Sequence, residues 1–276
     1  MGKFDNIAIL SDLDGTFLGT GGRIVERNLE AIEYFKSHGG LFSIATGRMH
    51  YNLDQVIPCA DKLINAIGIM CNGTYFYDFK NKKAFCEKYM DGEVSYEAVS
   101  FVAKNYPTAI TRISCNGGYI INSHDPRSRK VLGDYGNGIT LEVPIEEWSS
   151  DGWYKFAVSD APETLALIEA VLEEKFPDVF ECNRSSAFQL EYQMKGTNKS
   201  SLLGKFKEYY RERGKDLTVY HCGDNENDIE MLKAADVAVC PSNSIEEVKK
   251  ISDICLSSND DGVVADLIYL IDKKFA

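Results

Sequence analysis

The apolar run Ile7-Ala8-Ile9-Leu10 breaks off into Ser11-Asp12-Leu13-Asp14-Gly15-Thr16. The same change recurs twice: Leu41 to Ala45 stops at Thr46-Gly47-Arg48, and Leu217 to Cys222 stops at Gly223-Asp224-Asn225-Glu226-Asn227-Asp228. Predominantly apolar runs of this length read as central strands of a parallel sheet, buried on both faces. Between the first two, IVERNLEAIEYFKSH places Ile24, Ala31, Ile32 and Phe35 at mostly helical spacing and ends at Gly39-Gly40, which predicts a strand-helix-strand crossover. Gly19 to Gly22 reads as a hairpin-like segment ahead of that helix. Beyond Arg48 the pattern predicts a helix running towards Pro58, a third strand over Leu63 to Met70, a turn at Cys71-Asn72-Gly73 and short aromatic strands between Tyr75 and Phe85.

From about residue 85 to 190 the periodicity changes. Short alternating segments (Gly118 to Asn122, Ile139 to Val143, Tyr154 to Val158) and helices near 93–105 and 162–175 predict an α+β insert. Residues 85–190 carry 17 acidic against 9 basic side chains, compared with 25 against 21 elsewhere, which supports a separate module. Alternation resumes at Phe188-Gln189-Leu190-Glu191-Tyr192. A helix from Ser200 to Arg213 then leads to the strand at Leu217, and after it come a helix through Ala235 and short strands at Val237 to Cys240 and Ile254 to Ser257.

The length of 276 residues suits one large domain or two modest ones, and 44% hydrophobic with 26% charged residues is ordinary for a soluble protein. A net charge of -12 argues against nucleic acid or an anionic membrane as partner. An anionic substrate therefore needs local help. The eight cysteines include no CxxC pair and read as reduced thiols. The start has no signal-peptide core and no apolar run approaches membrane-spanning length, so the expected location is cytoplasmic. Nothing in the sequence assigns an oligomeric state.

Parallel strands bring Asp12, Asp14, Thr46, Asp224 and Asp228 to one sheet edge, and Lys199 opens a helix between them. Two carboxylates ~4 Å apart repel by roughly 4 kcal/mol at an effective dielectric near 20, so such a cluster calls for a cation or a shared proton. Hard oxygen ligands favour Mg²⁺, which would also let an acidic protein hold an anion. Calcium-loop spacing fails: from Asp224 the sixth and twelfth positions are Ile229 and Ala235, and from Asp12 they are Phe17 and Arg23. Taken singly, the residues have plainer uses. A DxDG stretch can be a surface turn, Thr46 a helix N-cap, Lys199 a solvated helix start and Asn227 a loop former. Arg48 reads as structural, and His221 and Cys222 as core or rim residues. Arg127, Arg129 and Lys130 read as a solvated loop, with a grip on a second phosphate as the alternative. Trp153 and Tyr154 read as core, with stacking on a sugar as the alternative.

Together, DLDGT, ATGR, the lysine in KGTNKS and GDNEND resemble, in order and context, the four motifs of the haloacid dehalogenase superfamily. The insert between the second and third motifs and the form GDNEND resemble its Cof-type sugar-phosphate phosphatase branch. The resemblance implies an α/β fold: a Rossmann-like core of about 1–84 and 191–276, with an α/β cap inserted at 85–190 that closes over the substrate. It also implies a Mg²⁺-dependent phosphatase acting on small phosphorylated metabolites, sugar phosphates foremost. Asp12 would be the nucleophile, forming an aspartyl-phosphate, and a metal ligand. Asp14 would alternate as general acid and base while its backbone carbonyl completes the metal site. Thr46 and the backbone of Gly47, at a helix start, would bind the phosphoryl oxygens, and Lys199 would neutralise charge there. Asp224 would anchor Mg²⁺, Asp228 would orient a metal-bound water or Lys199, and Asn227 would sit near a phosphate oxygen. The rival functions are a phosphomutase of the same fold, which would return the phosphoryl group to sugar, and a non-catalytic sugar-phosphate sensor.

Overall fold

The computed structural model describes residues 2–133 and 139–274. The chain divides into two compact units, Met1–Glu87 with Asn198–Ala276, and Lys88–Thr197.

The first unit is built on a five-stranded parallel sheet in the order Ile254–Leu256, Val237–Pro241, Thr218–Cys222, Ile7–Ser11, Leu41–Ile44. All five residues of Ile7–Ser11 are buried, which accounts for its unbroken apolar pattern. Ala8 and Leu10 pack with Leu203, Phe206 and Met231. The helix Glu26–Ser37 buries Ala31, Ile32 and Phe35 and packs on Val263–Lys274, to which Tyr34 is tied through Asp272 at 2.8 Å. Each large apolar side chain so buried contributes roughly 1.5–3 kcal/mol. The chain leaves Ile7–Ser11 for a strand on one side and later returns to a strand on the other, which opens a crevice at the carboxyl ends. Ser11 stands level with both Ile44 and Cys222, so Asp12, Thr46 and Asp224 emerge at nearly one height.

Two elements differ from the sequence pattern. The expected helix towards Pro58 is a 3-10 turn at His50–Asn52 followed by the four-residue helix Leu53–Val56. Pro58 forces Ile57 out of helical geometry, to φ -131° and ψ 83°, and ends it. The apolar stretch from Leu63 to Met70 is split: Ala60–Leu63 is helical and only Gly68–Met70 is a strand. Asn65 interrupts it, accepting from Phe42 N at 2.7 Å and donating to Gly40 O at 2.9 Å. Gly68–Met70 pairs antiparallel with Tyr75–Asp78 in a separate three-stranded sheet and is joined to the parallel strands through an isolated bridge, Ala45 to Ile69.

The second unit is a six-stranded mixed sheet in the order Thr140–Val143, Gly118–Asn122, Ile110–Cys115, Trp153–Ser159, Gln189–Met194, Phe180–Ser186. The helices Gly92–Asn105 and Pro162–Lys175 cover one face, burying Val99, Val102, Leu165 and Ile168 against Ile113, Phe156 and Val158. Gln189–Met194 pairs with Trp153–Ser159 and Phe180–Ser186, so this unit runs on to Thr197 where the sequence pattern suggested 190. On the opposite face Lys155 and Glu191 form a buried ion pair of 2.6 Å. Trp153 is wholly buried and Tyr154 nearly so, stacked on Tyr89. Arg127 is spent on Asp125 and the carbonyls of Pro107 and Thr108, and Arg129 on Glu142. Among the described residues, no helix is long and apolar enough to cross a membrane.

Candidate active site

Asp12 directly follows the central strand, and its N–H donates to Cys222 O at 2.8 Å, which fixes the carboxylate at the sheet edge. One oxygen of its buried carboxylate accepts from Lys199 Nζ at 2.7 Å. The same ammonium donates to Asp228 Oδ1 at 2.7 Å. Lys199 has no solvent exposure. Burial opposes its charge, but Asp12 and Asp228 more than offset this and hold the ammonium above its ordinary range. For Asp12 burial dominates and raises the carboxyl well above the usual range. Lys199 opposes the rise, while the charges of Asp228, Asp224 and Asp14 add to it.

Lys199 is placed by its own turn and by a strained neighbour. Asn198 caps the 3-10 segment Lys199–Leu202 by accepting from Ser200 N at 3.0 Å. Against it lies the turn Cys71-Asn72-Gly73, in which three successive residues have positive φ of 52°, 51° and 84°. A Cβ on Gly73 would stand 1.8 Å from Asn198 O, so only glycine permits this approach.

Asp228 is saturated by protein. Its Oδ1 also meets His221 Nε2 at 3.0 Å, and its Oδ2 accepts from the backbone N–H groups of Asp224 and Asn225 at 3.1 and 3.3 Å. Burial works against its charge, but Lys199 and His221 hold its carboxyl below the usual range. His221 lies wholly buried on Thr218–Cys222, and its Nδ1 is 3.0 Å from Leu10 O. The ring bonds both acceptors together only when both nitrogens carry protons. Asp224, half-buried, accepts from Thr16 Oγ1 at 2.7 Å, and burial raises its carboxyl to about 6.

Asp12, Asp224 and Asp228 each offer an oxygen within 4.8 Å of the others. Lys199 occupies one oxygen of Asp12 and Thr16 one of Asp224, so each keeps a second for a cation. A hard divalent ion suits this set of oxygens. With both its oxygens engaged, Asp228 is suited to holding Lys199 and the Asp224 loop.

Asp14 is outside this group of three. Its carboxylate is more than half exposed, and Arg48 grips both oxygens, Nε on Oδ2 and a terminal nitrogen on Oδ1, each at 2.7 Å. Thr46 is buried at the end of Leu41–Ile44, but no helix starts there. Its Oγ1 accepts from Arg48 N at 3.2 Å and closes a turn containing Gly47, and the first helical residue is His50. The helix start expected at Gly47 is therefore replaced by a turn. Asn227 donates to Asn72 Oδ1 at 3.4 Å, so these two amides meet.

Arg48, His221, Thr16 and Asn72 are partners that the sequence reading did not place in the site. For Asn72 a signal existed, since Cys71-Asn72-Gly73 is a turn at a strand end. For His221 there was none, because a histidine within an apolar strand looks like core.

A family model described as haloacid dehalogenase-like hydrolase matches residues 9–268. The chain is 24% identical over 275 residues to the 5-amino-6-(5-phospho-D-ribitylamino)uracil phosphatase YbjI of Escherichia coli (strain K12), covering 97% of each chain. It is 24% identical over 277 residues to the pyridoxal phosphate phosphatase YbhA of the same organism, covering 95% of this chain and 97% of that one. Among solved structures, the HAD subclass IIB sugar phosphatase BT4131 shares the fold with a TM-score of 0.81 at 21% identity, covering 96% of this chain and 99% of that one.

Proposed function

Because this chain belongs to the haloacid dehalogenase-like hydrolases, we propose that it is a Mg²⁺-dependent phosphatase that hydrolyses small phosphorylated metabolites, sugar phosphates foremost, through an aspartyl-phosphate on Asp12. The observation that carries this reading is the placement of Lys199 Nζ at 2.7 Å from Asp12 in a cluster of three carboxylates. Phosphatase relatives of nearly equal length support it.

One oxygen of Asp12 attacks phosphorus in line while the other faces the cation, and the bond from phosphorus to the leaving oxygen breaks. A proton on Asp14 passes to that oxygen. Arg48 holds both oxygens of Asp14 and so orients it, and one of these two bonds opens when Asp14 carries its proton. Water then attacks the aspartyl-phosphate, Asp14 takes the water proton, and the bond between phosphorus and Asp12 breaks to release inorganic phosphate. Lys199, fixed by Asp228, offsets the negative charge on the phosphoryl oxygens without having to reorganise. Thr46, the backbone of Gly47 and Asn227 orient those oxygens. Asp12, Asp224 and the Asp14 carbonyl would hold Mg²⁺, whose contribution when bound is to neutralise the phosphoryl group and the surrounding carboxylates.

Substrate selection falls to the inserted second unit, and eight cysteines without a disulfide fit the reducing cytoplasm. A panel of phosphorylated metabolites tests the reading. Mg²⁺-dependent release of inorganic phosphate, abolished by chelation, supports it. Isomeric sugar phosphate without free phosphate identifies a mutase, and binding without turnover identifies a sensor.

A further inference from the structure

The loop that runs from the two aspartates into the hairpin Leu18–Gly19 and Arg23–Ile24 is closed internally, with Thr16 N and Leu18 N on Leu13 O and Phe17 N on Asp12 O. Its outward carbonyls are taken by side chains from the carboxy-terminal segment, more than two hundred residues away in sequence. Asn243 Nδ2 donates to Gly15 O at 2.8 Å, and Asn259 Nδ2 donates to Leu18 O at 2.9 Å. The two asparagines are themselves joined, Asn259 N donating to Asn243 Oδ1 at 2.9 Å. Asp260 accepts from Thr20 N at 2.8 Å and from Thr20 Oγ1 at 2.7 Å, and pairs with Arg23. On the other flank Asn28 accepts from Ala265 N at 2.9 Å and faces Phe17 O. Asn28 and Asn259 are both buried.

We propose that Asn243, Asn259 and Asp260 form a brace that positions the loop carrying Asp12 and Asp14, with Asn259 as its keystone. This rests on the phosphatase reading for its catalytic consequence, though not for its structural one. Asn259 contributes a donor to a carbonyl of the buried residue Leu18. Asn243 contributes a donor one residue after Asp14. At Gly15, φ of 87° turns the chain so that its carbonyl reaches Asn243, while a Cβ there would stand 2.4 Å from Asp224 Oδ2. The brace therefore sets the backbone angle at which Asp14 leaves the strand end, and the amide positions of the hairpin beyond it. None of the three side chains need touch substrate. They are positioning residues.

The test uses the full chain with Asn243→Ala, Asn259→Ala and Asn259→Asp, the last being isosteric but lacking the donor. Amide hydrogen exchange, which does not depend on turnover, is read over residues 13–24 and over the five-stranded sheet. Exchange about tenfold faster in 13–24 with the sheet unchanged is expected. Unchanged exchange in 13–24, or equal acceleration throughout the sheet, overturns the brace. In parallel, kcat and KM are measured with p-nitrophenyl phosphate at saturating Mg²⁺. A kcat lower by about tenfold to a hundredfold with KM nearly constant is expected of misplaced reacting groups. Faster exchange with unchanged kcat overturns the positioning role. A wild-type chain that releases no phosphate removes the phosphatase reading, and exchange alone then decides whether the brace exists.

Discussion

Arg48 holds both carboxylate oxygens of Asp14 at 2.7 Å in a side-on fork. The geometry is specific to a planar guanidinium, and lysine cannot reproduce it. Arg48→Lys should lower kcat by about tenfold to a hundredfold for an alkyl phosphate, whose leaving oxygen needs a proton, and by less for p-nitrophenyl phosphate, whose leaving group does not. Comparing kcat for the two esters checks this; equal losses would show that Arg48 does not act through Asp14.

Lys199 is the buried counter-charge to Asp12 and Asp228. Lys199→Met should cut kcat by about a hundredfold to a thousandfold. Leaving two buried carboxylates without their cation should also cost about 3–5 kcal/mol of stability when metal is chelated. Urea unfolding in chelator measures the second effect, and Mg²⁺ should recover part of it.

In the second unit, Lys155 and Glu191 are an ion pair with side chains 5% and 8% exposed. Lys155→Met should destabilise the protein by about 3–5 kcal/mol by stranding the carboxylate, while Lys155→Met with Glu191→Leu should recover most of that loss. Denaturant midpoints of the single and double variants check the ordering.

Burial lowers the pKa of His50 from 6.5 to about 4, against the opposing charge of Glu87. Its ring is stacked on Tyr77 and bonded to Tyr75 Oη at 2.9 Å. The folded state therefore binds fewer protons here than the unfolded state between these values. The contribution of His50 to stability is complete above about pH 6.5 and is lost as pH falls towards 4. His50→Asn should flatten that slope in urea midpoints taken from pH 7 down to 4.5.

The sheet edge was legible because strands buried on both faces leave predominantly apolar runs, so Asp12, Thr46 and Asp224 could be placed where those runs end. Lys199 needed the motif order, since nothing local distinguishes it from a solvated helix-start lysine. The contacts of Arg48 and His221 were not legible. Each depends on a register or turn, Ser11 beside Ile44 for one and the 3-10 segment Glu226–Asp228 for the other, that the side chain's own neighbourhood does not encode. Leu63 to Met70 misled because a short apolar run fits a helix or a strand equally well. The boundary at 190 fell short because alternation in Gln189–Met194 reveals a strand but not the sheet it joins.

The most direct test of the account is borohydride reduction during turnover, which converts an acyl phosphate to an alcohol with loss of phosphate and so marks the phosphorylated residue. The account predicts homoserine at position 12, dependent on substrate and absent from Asp12→Asn, which should be folded and inactive. Phosphate release by Asp12→Asn, or homoserine at any other position, would contradict it.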